Sequence, residues 1–290
     1  MNDGNEPKNI EGSNFKDEEP ILPRPFLKWA GGKTQLIKSL RAYLPAKFNR
    51  YWEPFLGGGA FFFSLRPQQA ALYDVNSELI NTYIAVRDSV DELISELKTH
   101  IYEESHFYAV REWDRDPSFC QMPAIKRAAR FIYLNKTCFN GLHRVNSKGY
   151  FNVPFGRYSN PTIADEVNLK ACSQALAGVQ LVNESYLSIE DRVAPGDLVY
   201  FDPPYVPVSE TSSFTSYTED GFSFSDQILL RDLFSRLASK GAFVMLSNSE
   251  SPFVEGLYKG FNINLVSATR AINSKAGDRG PVGELIITNY

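Results

Sequence analysis

The stretch DLVYFDPPY, residues 197–205, sets four apolar residues directly before an acid, two prolines and a tyrosine. An apolar run of this length, closed by a proline turn, reads as a buried strand of an α/β sheet. Two adjacent prolines fix the turn and remove its N–H donors. The turn therefore presents the carboxylate of Asp202, the carbonyls of Pro203 and Pro204, and the ring of Tyr205. Such a set accepts hydrogen bonds and stacks. It suits a planar group bearing an exocyclic amine, such as an adenine or cytosine base.

Working outward, the same α/β rhythm surrounds this strand. YWEPFLGGGAFFFSL reads as a short strand, a glycine turn and a helix, and QAALYDVN as a second strand ending in a polar turn. SELINTYIAVRDSVDELISELKTH carries helical periodicity. Residues 90–135 read as helices, and residues 136–163, rich in Asn, Gly and aromatics, as a long functional loop. VQLVN then resumes the strands, SDQILLRDLFSRLASKG reads as a helix closed by Gly241, and AFVMLSN, INLVSAT and GELIITNY follow as strands, the last one antiparallel. The expected architecture is one α/β sheet domain, residues 23–90 and 165–290, interrupted by a mostly helical insert over 91–164.

Ligands of an open α/β sheet sit beyond the carboxyl ends of its strands. Three polar clusters fall there: Glu53-Pro-Phe55-Leu with Gly57, Gly58 and Gly59; Asp74-Val-Asn; and Asp202-Pro-Pro-Tyr205. The glycines admit a ligand close to the backbone, and Asp74 lies at about the offset, ~20 residues, where an acid holds ribose hydroxyls. The turn is not Gly-x-Gly-x-x-Gly, so a nicotinamide cofactor is not favoured. FLKWAGGKT, residues 26–34, imitates a phosphate loop, but the glycine that loop needs would fall on Leu27, and Pro20, Pro23 and Pro25 break the strand that should precede it.

The chain of 290 residues is 43% hydrophobic and has a net charge of −4. Residues 1–19 alone supply that charge, so an acidic, disordered tail is expected over 1–22. Residues 20–52 hold seven basic residues and residues 121–164 hold Lys126, Arg127, Arg130, Lys136, Arg144, Lys148 and Arg157, both without an acid. Two acid-free segments in a neutral body suit a polyanion docking on one side. Cys120, Cys138 and Cys172 lack metal or disulfide spacing, which points to no metal and a reducing cytoplasm. No signal peptide and no membrane-spanning run are read.

Taken in order, FLKWAGGK, EPFLGGGA, YDVN, NGLHRVN, FNVPFGRY and FDPPY resemble the Dam-type (D12-class) DNA adenine-N6 methyltransferases, and within them the subgroup acting on GATC. The likeness runs from about Pro25 to Tyr290. It implies a Rossmann-like S-adenosylmethionine-dependent methyltransferase sheet with a helical DNA-recognition insert. It implies cofactor contacts at Trp29, Lys33, Glu53, Phe55, Gly57, Gly59, Asp74 and Asp202, and catalysis at Asp202, Pro203, Pro204 and Tyr205 on an adenine flipped out of double-stranded DNA. It further implies DNA contacts at Lys28, Phe139, Asn140, Leu142, Arg144, Pro154, Arg157 and Tyr158. His143 departs from the family's pattern, and no role is carried over to it. The acceptor turn alone would equally hold N4 of cytosine or an RNA adenine, and a catalytically silent DNA-binding module is the alternative from another class. No Pro-Cys dipeptide is present, which argues against a cysteine nucleophile. The chain is expected to act as a monomer, forming no stable complex with any cognate restriction endonuclease.

Overall fold

The computed structural model describes residues 21–205, 222–269 and 281–290. Almost all of the expected acidic tail, and the segments 206–221 and 270–280, lie outside them. Seven strands form one sheet: β1 Tyr51–Glu53, β2 Ala70–Tyr73, β3 Gln180–Val182, β4 Leu198–Phe201, β5 Phe243–Ser249, β6 Asn262–Thr269 and β7 Pro281–Thr288, in the order β3-β2-β1-β4-β5-β7-β6. The first five run parallel, and β7 is antiparallel to both β5 and β6. This is the Rossmann-like α/β arrangement expected of a methyltransferase sheet.

Burial explains the central strands. All four residues of β4 are buried, and they alternate: Leu198 and Tyr200 join one hydrophobic cluster, Val199 and Phe201 the other. The first cluster gathers the helices α1 Ile37–Ala42, α2 Ala60–Leu65, α3 Ser77–Asp88, α4 Val90–Leu97, part of α6 Ala124–Thr137 and α7 Glu166–Leu176. Among the described residues the second lies under α8 Phe224–Ser239 and α9 Pro252–Leu257. Two covered faces are why the strand reads as an unbroken apolar run rather than an alternating one.

The periodic stretch 77–100 is two helices, not one. Ser89, at φ −144°, ψ 43°, breaks it, and Asp91 and Glu92 open α4 where the helix dipole favours acids. Gly241 stands one residue beyond the cap Lys240 of α8, at φ 86°, where a left-handed turn needs glycine. Sequence reading passed over α7, although Asp165 caps it by accepting from the backbone N–H of Asn168. Helix α6 runs on to Thr137, so the irregular segment begins at Cys138. There the chain folds back on itself, with isolated antiparallel bridges Cys138–Phe155 and Val145–Phe151. A separate small cluster underlies this ribbon, built from Phe107, Val110 and Tyr133 with Phe151 and Val153; Phe107 and Val110 belong to α5 Glu104–Arg111.

Candidate active site

Strands β2 and β3 continue from β1 to one side, while β4 and β5 extend to the other, so the order reverses between β1 and β4. Beyond their carboxyl ends lies a cavity of about 770 Å³. Trp29, Lys33, Glu53, Phe55, Gly57, Gly59, Asp74, Asp202, Pro203, Pro204 and Tyr205 all line it. Every residue expected to hold the cofactor or perform the chemistry therefore meets in one place, as the switch-point rule requires.

The glycine turn is shaped by what crowds it. Gly57 has φ +47°, and a Cβ there would come within 2.7 Å of the Trp29 ring. The Asp74 carboxylate accepts from the N–H groups of Gly57, at 3.1 Å, and Asn76, at 2.9 Å. Burial raises the Asp74 carboxyl above its ordinary range, and these donors oppose the rise. Tyr83 donates to the Gly57 carbonyl at 3.1 Å. The turn is thus braced from three sides before any ligand arrives.

The proline turn is braced as well. Asp202 Oδ1 accepts from Lys33 Nζ at 2.8 Å and from the Ser247 hydroxyl at 3.0 Å, and Ser247 also bonds the Tyr200 hydroxyl at 2.9 Å. Lys33 further donates to the Gly31 carbonyl at 2.7 Å and stands 4.3 Å from the Tyr205 ring centre. Its side chain is 7% exposed and that of Asp202 21%. Burial raises the Asp202 carboxyl, and the charge of Lys33 pulls against it. Gln227 donates to the Pro204 carbonyl at 3.0 Å and Tyr205 donates to Glu284 at 2.8 Å. One lone pair of the Pro204 carbonyl is therefore engaged within the protein.

Glu53 faces Asp202 across the switch point. Burial first, and the Asp202 charge with it, push its carboxyl up to about 8, against the bond it accepts from the Tyr51 hydroxyl at 2.7 Å. A carboxyl whose folded value is raised binds more protons folded than unfolded across the interval. Its contribution to stability is full below the unfolded value of 4.5 and is lost as pH climbs through about 8. Glu53→Gln should flatten that decline, read as urea midpoints across the same interval. An unchanged slope would remove Glu53 as its source.

Sequence reading missed one wall of the cavity. Phe55 stacks on Tyr186, with ring centres 5.0 Å apart, and meets Phe222 edge-on at 5.6 Å. Ser185 and Tyr186, which also line the cavity, follow β3, so a polar cluster after VQLVN was the available signal. Phe222 carried none, being brought in from before α8.

The residues expected to touch DNA gather on the ribbon after α6. Phe139 donates its N–H to the Pro154 carbonyl at 2.9 Å, and Tyr158 donates its hydroxyl to the Cys138 carbonyl at the same distance. Lys28 sits 4.5 Å from the Tyr158 ring centre. Phe139 is 52% exposed, and Asn140, Arg144, Pro154 and Arg157 are exposed beside it. Asn140 adopts φ 56°, in the left-handed region. The acid-free segments are less free than their composition suggests, however. Arg127 pairs with Glu78, Arg130 with Asp114 at 2.8 Å, and Lys33 with Asp202. Near Lys28 the positive charge stands closer together: burial first, then the charge of Lys28, lowers the Lys136 ammonium. Among the described residues no group of three His, Cys, Asp or Glu could hold a metal, and no helix is long and apolar enough to cross a membrane.

The chain is 48% identical, over 96% of its length and 99% of the relative's, to the Type II methyltransferase M1.LlaDCHI of Lactococcus lactis subsp. cremoris. It is 44% identical to the Type II methyltransferase M.MjaIII of Methanocaldococcus jannaschii, over 92% and 99%. A DNA adenine methylase of Vibrio cholerae is 34% identical over 91% and 95%. Residues 29–272 match the model of the D12 class N6 adenine-specific DNA methyltransferases, a span that takes in the glycine turn, the ribbon and the proline turn together. A sheet of this order, an acceptor turn at its switch point and relatives matched nearly end to end agree: the chain belongs to the D12 class and is an adenine-specific DNA methyltransferase.

Proposed function

We propose that the enzyme takes its methyl group from S-adenosylmethionine and places it on N6 of an adenine flipped out of duplex DNA, within the sequence GATC. The observation that carries this reading is that the proline turn and the Gly57–Gly59 turn with Asp74 open into one cavity. Its residues suit the cofactor: glycines where backbone must come close, a half-buried acid beyond them for hydroxyls, and the aromatic wall of Phe55 and Tyr186 for a planar base. When bound, S-adenosylmethionine supplies an electrophilic methyl on a positively charged sulfur. The protein's part is to aim the amine. Asp202 and the Pro203 carbonyl accept its two hydrogens, so the nitrogen lone pair is turned toward the methyl donor, and Tyr205, held at its hydroxyl by Glu284, stacks on the base. Holding both reactants in attack geometry lowers the barrier by several kcal/mol, on the order of 7–11 at best. Extrusion of the base costs about a few kcal/mol, and Phe139, exposed at the base of the ribbon beside Pro154, fills the space the base vacates.

Residues 23–90 and 165–290 form the catalytic part in this reading, and 91–164 the recognition insert. Lys28, Asn140, Leu142, Arg144, Pro154, Arg157 and Tyr158 face the duplex. The Arg144 guanidinium is oriented through its Nε, which donates to Asn152 at 2.8 Å. Arginine so held forks onto a guanine edge in the major groove. Arg144→Ala should cost about 1–3 kcal/mol of discrimination at one base pair, read as methylation rates on duplexes substituted at each position. Equal loss on every duplex would instead make Arg144 a phosphate contact.

Tritiated methyl incorporation tests the whole reading. Duplexes with GATC should be labelled at adenine, and matched duplexes without it should not. Label appearing on cytosine, on RNA adenine, or independently of GATC would overturn the proposed target. The proposed enzyme works as a monomer in the cytoplasm, and its Type II relatives favour service beside a restriction endonuclease over a solitary role.

A further inference from the structure

The family likeness assigns His143 of NGLHRVN no role, and unlike its exposed neighbour Arg144 it is half-buried. Its ring stacks on Trp29, centres 5.5 Å apart and planes at 16°, and on Phe131 at 4.8 Å and 27°. Phe131 also stacks on Trp29 itself, centres 6.4 Å apart, and the Cδ1–Nε1 edge and Cβ of Trp29 pack against Gly57 and Gly58, the turn that floors the cavity. A second tie runs beside the first. Asn135, 1% exposed, accepts the Lys28 N–H at 2.8 Å and donates to the carbonyls of Lys28, at 2.7 Å, and Gly141, at 3.1 Å. The recognition ribbon is thus locked to the Lys28–Trp29 segment, whose first residue faces the ribbon and whose second forms a wall of the cavity.

We propose that His143 is a positioning residue for the cofactor site, holding the Trp29 ring against the glycine turn from the recognition ribbon without itself touching the cavity. The proposal rests on the cavity being the S-adenosylmethionine site. The imidazole acts here as a flat aromatic surface. Burial, and then the charge of Arg130, hold it to about 4, so it is neutral at ordinary pH and stacks without the cost of burying a charge. Stacked rings add about 0.5–1.5 kcal/mol beyond their buried area. Without His143 only Phe131 stacks on Trp29, and the indole edge is held less firmly against Gly57.

The test is calorimetric binding of S-adenosylmethionine to the full chain in the absence of DNA. His143→Phe, which keeps a ring, should bind within about 2-fold of the wild type. His143→Leu, which keeps volume and loses the ring, and His143→Ala should bind about 3–10-fold more weakly, given that stacking energy. The KM for S-adenosylmethionine should rise while kcat at saturation changes little. Trp29 emission, taken as the difference from a Trp29→Phe counterpart, should shift in His143→Leu and not in His143→Phe, with or without cofactor. Wild-type affinity and unshifted emission in His143→Leu would overturn the proposal. If the wild type itself fails to bind S-adenosylmethionine, the cofactor reading falls instead, and the emission comparison still decides whether His143 positions Trp29.

Discussion

Asp202→Ala should leave no measurable methyl incorporation while the far-ultraviolet circular dichroism stays that of the folded protein. Its carboxylate is the only charged member of the proline turn, and Lys33 and Ser247 already point it through Oδ1. Truncation also strands Lys33, whose side chain is 7% exposed, beside the aromatic ring of Tyr205. Removing one partner of a buried pair costs about 3–5 kcal/mol, so the variant should melt at lower temperature than the wild type. Asp202→Asn keeps shape and an acceptor oxygen but loses the charge opposite Lys33. Loss of one preorganised group of this kind lowers kcat on the order of 10²–10³-fold. Near-wild-type turnover by Asp202→Asn would sink the need for a charged acceptor at this position.

Lys33→Met should carry the second large effect, and its signature is in pH. Burial raises the Asp202 carboxyl and Lys33 opposes the rise, so removing the ammonium lets the carboxyl rise further. If ionised Asp202 is the working form, the acidic limb of the pH–rate profile moves to higher pH in the variant, and part of the lost rate returns as pH is raised. The folded protein feels the same shift. A carboxyl raised further above its unfolded value loses stability over a wider interval of rising pH, so Lys33→Met should be relatively less stable in alkaline than in mildly acidic buffer. An acidic limb unmoved from the wild type would mean that Lys33 serves the cofactor or the DNA, not Asp202.

These two residues show how unevenly the site was legible. Asp202 announced itself, because a buried strand ending in Pro-Pro leaves little else for a carboxylate to do. Lys33 did not. The family likeness names it only as a cofactor contact; its ion pair with Asp202 and its bond to the Gly31 carbonyl emerge in the folded chain. Phe222 was silent for the same reason, since an aromatic residue in a sequence is read as core until its neighbours are known. The basic segments misled in the opposite direction. Counted along the chain, Arg127 and Arg130 belonged to a field for a polyanion, but Glu78 and Asp114, far away in sequence, claim them.

What the sequence determined by itself was whatever local chemistry dictates: the unbroken apolar run of β4, the glycines at positive φ, the donor-free proline turn, and the strand and helix periods on either side. Period and backbone freedom act over a few residues, so they can be read along the chain. Only the tertiary structure decided which charges are spent on each other, that helix α6 and its ribbon lock onto Lys28 and Trp29, and that His143 backs the cavity wall. Those outcomes depend on pairs separated by up to 169 positions, Lys33 with Asp202 being one such pair. Contact forces fall off over a few ångströms and screened Coulomb forces over about 8–10 Å, so such pairs acquire an energy only once the fold has brought them together.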